Sequence, residues 1–399
     1  PYLSIRLPME NLLVNKVAAV KEVRQAAEYQ KKKQACILTG LAGSSKPVFF
    51  AAADKLLGGK GSMAFVTASR EEIRTYRREL NYLYPDLPMQ ELYPVSLPRV
   101  QADTQSLELQ AGRAAALRFL SGEERGIVFI TAEALQQKQL RPSGMSGKAL
   151  QLAVGEEHEQ RNIAAELLDL GYERTEQVDA LGQFCLRGDI LDVYPINSSA
   201  AVRIEWFDNE LDAMRSFDVD TQRSLQTLTS IKIAPLKVDE SFSYDADIFE
   251  YCAADTMVVV DEPVHVFGML EKLDKENKEH ASELFGKQEL IEQLAANGAV
   301  LVSALGHSYL QQLPSLNIPV RAVAPYNKNT NLLVEDLQNW LAEGITPLIM
   351  LSGSIKARGF ADNLRNYGLK GHFAQKSFEP GVVNVTYGDL DHGFRFWDE

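Results

Sequence analysis

Between Glu10 and Gln34 apolar residues recur at helical spacing, Leu13, Val17, Val20, Val23 and Ala27, which predicts one helix closing on Lys31, Lys32 and Lys33, cations suited to a helix C-terminus. Cys36-Ile-Leu-Thr39 then reads as a buried strand, followed by a loop of glycine and serine and a helical pattern over 48–57. A strand over 63–67, helices over 70–83 and 107–120, and a strand over 126–131 continue the rhythm. Strand and helix alternating in this way predict a parallel sheet with helices on its faces.

After Arg141-Pro-Ser-Gly144 the rhythm changes to a strand over 149–154, a helix over 158–170 and short strands through 233. Gly182 to Pro195 contains two strand patterns hinged at Gly188, with Leu186 on one side and Ile190, Leu191, Val193 and Tyr194 on the other, so Arg187 and Asp189 are held in set directions. A second hairpin runs over 202–207, turns at Asp208-Asn-Glu210 and returns over 211–217. From Ile248 the earlier rhythm resumes: a strand over 257–262, helices through 273 and over 290–296, and a strand over 299–303. A last unit follows Pro325, with helices over 332–343 and 357–367 and strands over 347–351 and 382–387. The expected organisation is therefore α/β at 1–144, an inserted α+β module at 145–236, α/β again at 237–325, and a small α/β unit at 326–399.

The chain has 399 residues, enough for several cores, and its ordinary apolar share excludes a disordered or fibrous protein. No apolar run approaches the roughly 20 residues that cross a bilayer, and no signal peptide is evident, so a cytoplasmic protein is expected. A net charge of −13 argues against a surface made mainly for nucleic acid. Cys36, Cys185 and Cys252 form no CxxC pair and read as isolated reduced thiols. The opening at Pro1 and the ending Trp397-Asp-Glu399 read as those of a piece cut from a longer protein.

A nucleotide-binding P-loop needs GxxxxGK[ST], because backbone N–H groups must approach the phosphates, the lysine must reach them and a hydroxyl must hold Mg²⁺. The stretch Gly40-Leu-Ala-Gly43-Ser-Ser45-Lys46-Pro47 has the place, the length and the lysine. Ser45 stands where the second glycine belongs, and Pro47 supplies neither a metal ligand nor a backbone donor. A vestigial loop is expected. Val258-Val-Val-Asp261-Glu262 resembles the acid-tipped strand that would complete such a site. The six histidines, 158, 265, 280, 307, 372 and 392, show no metal-ligand spacing. Arg70, Arg74, Arg77 and Arg78 share a helix side that could touch phosphates, but Glu71, Glu72 and Glu79 interleave with them and predict an ion-paired, solvated face.

Three stretches carry a resemblance: Leu38-Thr-Gly-Leu-Ala-Gly43, Gly182 to Pro195, and Arg203-Ile-Glu-Trp-Phe-Asp208-Asn-Glu210 followed by Ser216-Phe-Asp-Val-Asp-Thr-Gln-Arg223. Together they resemble the bacterial transcription-repair coupling factors, whose first domains are similar to the excision-repair subunit UvrB. The resemblance implies a RecA-like domain in two parts, interrupted by a module that binds UvrA and followed by a small third domain. It nominates Arg174, from Tyr172-Glu-Arg174, with Arg187, Arg203 and Glu205 as the UvrA-binding residues. It further implies a parent that is an ATP-dependent DNA translocase, using ATP and Mg²⁺ in a motor elsewhere, engaging RNA polymerase and duplex DNA through other domains, and masking the UvrA face with a C-terminal domain.

Two departures stand out. UvrB often has Arg-x-Arg-Gly where this chain has Cys185-Leu-Arg187-Gly188, so one cation is missing. The short Leu92-Tyr-Pro-Val-Ser-Leu-Pro98 replaces UvrB's long Tyr-rich hairpin, which favours the coupling factor over UvrB. The expectation for this piece is a recruitment module without catalytic residues, resident cofactor or metal. The alternative from another class is an active P-loop ATPase acting on damaged DNA, and a third reading is direct DNA binding through Arg70, Arg74 and Arg77.

Overall fold

The single helix expected over 10–34 is two, α1 (Pro8–Ala18) and α2 (Lys21–Lys31), because Val20 takes extended backbone at φ −63°, ψ 134°. The break lets both short helices lie on α3 (Ser45–Leu56). The structure is a computed structural model that describes residues 8–95, 97, 107–141, 149–236, 244–304, 312–375 and 377–396. Pro1, the stretch at 142–148, residue 237, His307 and the ending at 397–399 lie outside the described residues.

The first α/β stretch supplies β1 (Cys36–Thr39), β2 (Met63–Thr67), α4 (Arg70–Leu83), β3 (Met89–Leu92), α5 (Leu107–Ser121), β4 (Ile127–Thr131), α6 (Ala132–Gln136) and β5 (Gln139–Leu140). The inserted stretch supplies β6 (Leu150–Ala153), α7 (Gln160–Asp169), β7 (Glu173–Arg174), β8 (Gln183–Arg187), β9 (Ile190–Val193), β10 (Ala201–Phe207), β11 (Glu210–Phe217), β12 (Ser224–Leu228) and β13 (Ser230–Ile233). The chain returns through β14 (Tyr244–Ala246), β15 (Met257–Asp261), α8 (Pro263–Glu276), α9 (Lys287–Ala296), β16 (Val300–Ser303), β17 (Ser315–Asn317) and β18 (Val320–Ala322). It ends in α10 (Thr330–Ala342), β19 (Leu348–Leu351), α11 (Ser354–Asn363), β20 (Gly371–Phe373), β21 (Val383–Tyr387) and β22 (Phe394–Phe396). Strands β3, β5, β14, β17, β18, β20 and β22 and helix α6 were not expected; all are short and lack a full period of their own.

The main sheet runs β17-β1-β16-β15-β2-β4-β3, every neighbouring pair parallel. Strands from both sides of the insert alternate in it, so the two α/β stretches are one RecA-like sheet interrupted in sequence. Its central strands β16, β15, β2 and β4 are near-continuous apolar runs because both faces are covered. Leu38, Phe65, Phe129, Val259 and Val302 pack with α1 to α4 on one side, and Val66, Ile130, Val258 and Leu301 pack with α5, α8 and α9 on the other. Phe50 meets Phe65 edge to face at 4.7 Å between ring centroids, a geometry worth about 0.5–1.5 kcal/mol beyond the burial of the rings. The insert leaves after β5 and re-enters at β14, and these two strands pair antiparallel, closing its neck.

The insert's sheet runs β12-β11-β10-β9-β8-β7. Two tight turns set its register: Gly188 at φ +57° between β8 and β9, and Asp208 at φ +59° between β10 and β11. Period-two alternation then sends Phe184, Leu191, Val193, Val202, Ile204 and Met214 to a core shared with Ile163 and Leu167 of α7. In the last unit β19-β21-β20 form a parallel sheet, and β22 crosses back to pair antiparallel with β18.

Candidate functional sites: a charged sheet face and a degenerate nucleotide loop

The residues between those core positions on β8 to β11 point to the opposite face. Register places Cys185, Asp192, Arg203 and Arg215 in one row across four strands, and Arg187, Ile190, Glu205 and Ala213 in the next. Arg187, Arg203 and Glu205 are thus brought together. Arg174 is not among them: it pairs with Phe184, whose ring is in the core, so it stands exposed on the two-residue edge strand β7, out of phase with Cys185 and Arg187.

Asp192 organises the face. Its carboxylate is 2% exposed and accepts from Arg203 Nε at 2.6 Å and Nη2 at 2.8 Å, the fork geometry that makes arginine–carboxylate pairs directional. Arg203 also donates to Gln222 Oε1 at 3.2 Å and lies over the Phe217 ring at 4.7 Å, leaving it 18% exposed. Arg187 reaches the same carboxylate at 3.4 Å but remains 55% exposed, so its guanidinium is available to a partner. Glu205 pairs with Arg215, whose Nε is buried and has no hydrogen-bond partner. A β-bulge follows Glu205, where β10 and β11 shift register, and re-aims the end of the hairpin.

Sequence reasoning missed Asp192 and Arg215. The signal for Asp192 was a lone acid at an alternate position of an apolar strand; for Arg215 it was its place opposite Arg203. The missing cation at Cys185 has a simple account: the thiol is buried, donates to the Glu176 carbonyl at 2.9 Å and packs with Val178 and Phe217, under the loop that precedes β8.

The nucleotide-like loop joins β1 to α3. Strand β15 lies one strand away from β1 in the parallel sheet, so Asp261 and Glu262 end at the same edge as the loop. Gly40 holds φ +85°, and a Cβ there would meet the Ile318 carbonyl oxygen at 2.3 Å, so only glycine fits. Gly43 holds φ +55°. Ser45, at the lost glycine, is buried and turns its hydroxyl back to accept from the Ala42 N–H at 2.9 Å. Pro47 is buried in the first turn of α3. Lys46 Nζ sits 2.7 Å from Asp261 and 2.9 Å from Glu262. Burial works against its charge, but the two carboxylates outweigh that and hold its pKa above the ordinary lysine value. Glu262, itself at φ +42°, also accepts from the Ala304 N–H. The lysine that would meet phosphate is already neutralised by the acids that would hold the metal.

Three of the arginines of α4 are also engaged, though not by the interleaved glutamates. Arg70 pairs with Glu91 and lies over Tyr93 at 4.7 Å, Arg77 lies over Phe129 at 5.4 Å, and Arg78 pairs with Asp391. Glu72 is spent on a capping box with Ser69, and Glu79 is buried against Ser44. Among the described residues no cluster of His, Cys, Asp and Glu could hold a metal ion, and no helix is long and apolar enough to cross a membrane.

Residues 150–238 match the model of the UvrB interaction domain. The transcription-repair-coupling factor of Bacillus subtilis is 24% identical over 90% of this chain and 37% of its own length. The protein of the same name from Escherichia coli is 28% identical over 41% of this chain and 14% of its own length, and that from Staphylococcus haemolyticus 31% over 50% and 17%. This chain therefore spans little more than a third of the length of the Bacillus relative. The likeness read from residues 182–195 and from the Arg203 hairpin holds: the chain is similar to the bacterial transcription-repair-coupling factors over most of its length, and its residues 150–238 match the UvrB interaction domain.

Proposed function

We propose that this chain is a non-catalytic recruitment module of a transcription-repair coupling factor, imitating UvrB to bring UvrA to lesions where RNA polymerase has stalled. The observation that carries the reading is the Asp192-centred face on the UvrB interaction domain, where Arg187 stands exposed beside a held Arg203 and the Glu205–Arg215 pair. Interface hot spots are enriched in arginine, and a guanidinium held in direction on a strand offers a planar, bidentate contact to a partner's carboxylate. Arg187, Arg203 and Glu205 form the contact, with Arg174 at its edge. In the parent protein, other regions would supply the ATP-driven DNA translocase, the contact with RNA polymerase and the masking of this face, all in the cytoplasm.

The test is a titration of UvrA with the wild-type chain beside Arg187→Ala and Glu205→Ala. Each substitution is expected to weaken binding by about 1–2 kcal/mol, roughly tenfold, with the fold intact. A wild-type chain that does not bind UvrA sinks the reading. The pairing of Lys46 with Asp261 and Glu262 supports a loop that does not use nucleotide; tight Mg²⁺-dependent ATP binding, lost in Lys46→Ala, would restore the ATPase alternative.

A further inference from the structure

We propose that the degenerate P-loop is a docking site for an extended peptide, and that its ligand is residues 388–396 of this chain. The segment crosses the outer side of the loop. His392 N–H donates to Ser44 Oγ at 2.9 Å, Asp391 N–H donates to the Glu79 carboxylate at 2.9 Å, and the Asp391 carboxylate pairs with Arg78. Ser44 Oγ in turn donates to Glu79. A Cβ on Gly43 would come within 2.9 Å of the His392 Cβ, so the loop glycine is what lets the strap lie this close. On either side the strap is fastened: Tyr82 hydroxyl donates to the Tyr387 carbonyl at 3.4 Å, Val323 N–H donates to Gly393 O at 2.9 Å, and β22 pairs with β18. Leu390, Phe394 and Phe396 pack on the main core.

The chemistry of the loop has been inverted. A working P-loop offers N–H donors and a lysine to an anion rich in acceptors. Here the lysine is spent on Asp261 and Glu262, and the groups turned outward are a hydroxyl oxygen and Glu79, a carboxylate 2% exposed. Burial raises the pKa of Glu79 above the usual carboxylate range. A phosphate would meet that carboxylate; two successive peptide N–H groups satisfy it and the hydroxyl together. Because the strap leaves β21 of the last unit, the former nucleotide loop becomes the anchor that ties that unit to the main sheet.

Hydrogen exchange on the full chain tests this. The Asp391 and His392 amides are expected to be protected in the wild type and unchanged by millimolar MgATP. Glu79→Leu, which removes the acceptor, is expected to speed both by at least about tenfold, with the amides of β8 unaffected as a check on folding. Ser44→Ala, a change small enough to spare the fold, is expected to speed His392 in the same direction. Unprotected Asp391 and His392 amides in the wild type, indifference to Ser44→Ala, or release of the strap by MgATP each overturn the proposal.

Discussion

Asp192 on β9 grips Arg203 on β10 with both carboxylate oxygens, at 2.6 and 2.8 Å, while its own side chain is 2% exposed. One buried acid therefore sets the direction of Arg203 and limits that of Arg187.

Removing that acid leaves Arg203 over Phe217 without its counter-charge. Loss of one partner of a buried pair costs about 3–5 kcal/mol, and the residual exposure of Arg203 lowers the expectation for Asp192→Ala to about 2–3 kcal/mol. Urea unfolding followed through Trp206, in the core of the same module, reads it. A loss below about 0.5 kcal/mol would show that the pair contributes little to the face.

Lys46 makes a prediction with a pH signature. Its folded-state pKa is raised, so the folded chain holds this proton more tightly than the unfolded chain does. The stabilisation is complete below the unfolded value, roughly 10.4, and is lost as pH rises through the folded value. Lys46→Met is expected to destabilise by about 1–3 kcal/mol at pH 7, because Asp261 and Glu262 are left together without a cation. The gap between wild type and variant should stay level to about pH 9 and narrow above the ordinary lysine value. Urea midpoints for both proteins at neutral and strongly alkaline pH decide it; a gap that widens with alkalinity contradicts the assignment.

Burial pushes the Cys36 and Cys252 thiols up to about 12. At pH 8 about one thiol in ten thousand is then ionised, and the thiolate is the reactive form. Iodoacetamide at pH 8 is expected to leave both unmodified in the folded chain and to label them after denaturation, read by peptide mass spectrometry. Rapid labelling of Cys36 in the native protein would mean that β1 opens far more readily than its complete burial implies.

Much of the architecture was legible because it is local. Both-faces-buried strands such as Met63–Thr67 announce themselves as apolar runs, and α4 begins and ends where its periodicity does. The two hairpins of the insert were legible from Gly188 and from Asp208-Asn209, turn residues whose backbone preference acts over a few positions. The break between α1 and α2 was not, because periodicity continues across Val20 and only packing of both helices on α3 decides it.

By itself the sequence determined the order of most elements, the parallel sheet with its insert, the loss of the second glycine and of the hydroxyl from a working nucleotide loop, where Ser45 and Pro47 stand instead, and the common face of Arg203 and Glu205, two residues apart on one strand. Only the tertiary structure decided what those groups touch. Arg203 meets Asp192 through strand register, Arg174 falls out of phase through the pairing of β7 with Phe184, and Lys46 finds acids 215 and 216 residues away. Ser44 receives a peptide N–H from 348 residues downstream. Backbone propensity and periodicity act within a few residues, whereas charges and hydrogen-bond donors choose partners by distance in space, which the chain acquires only when its sheets close.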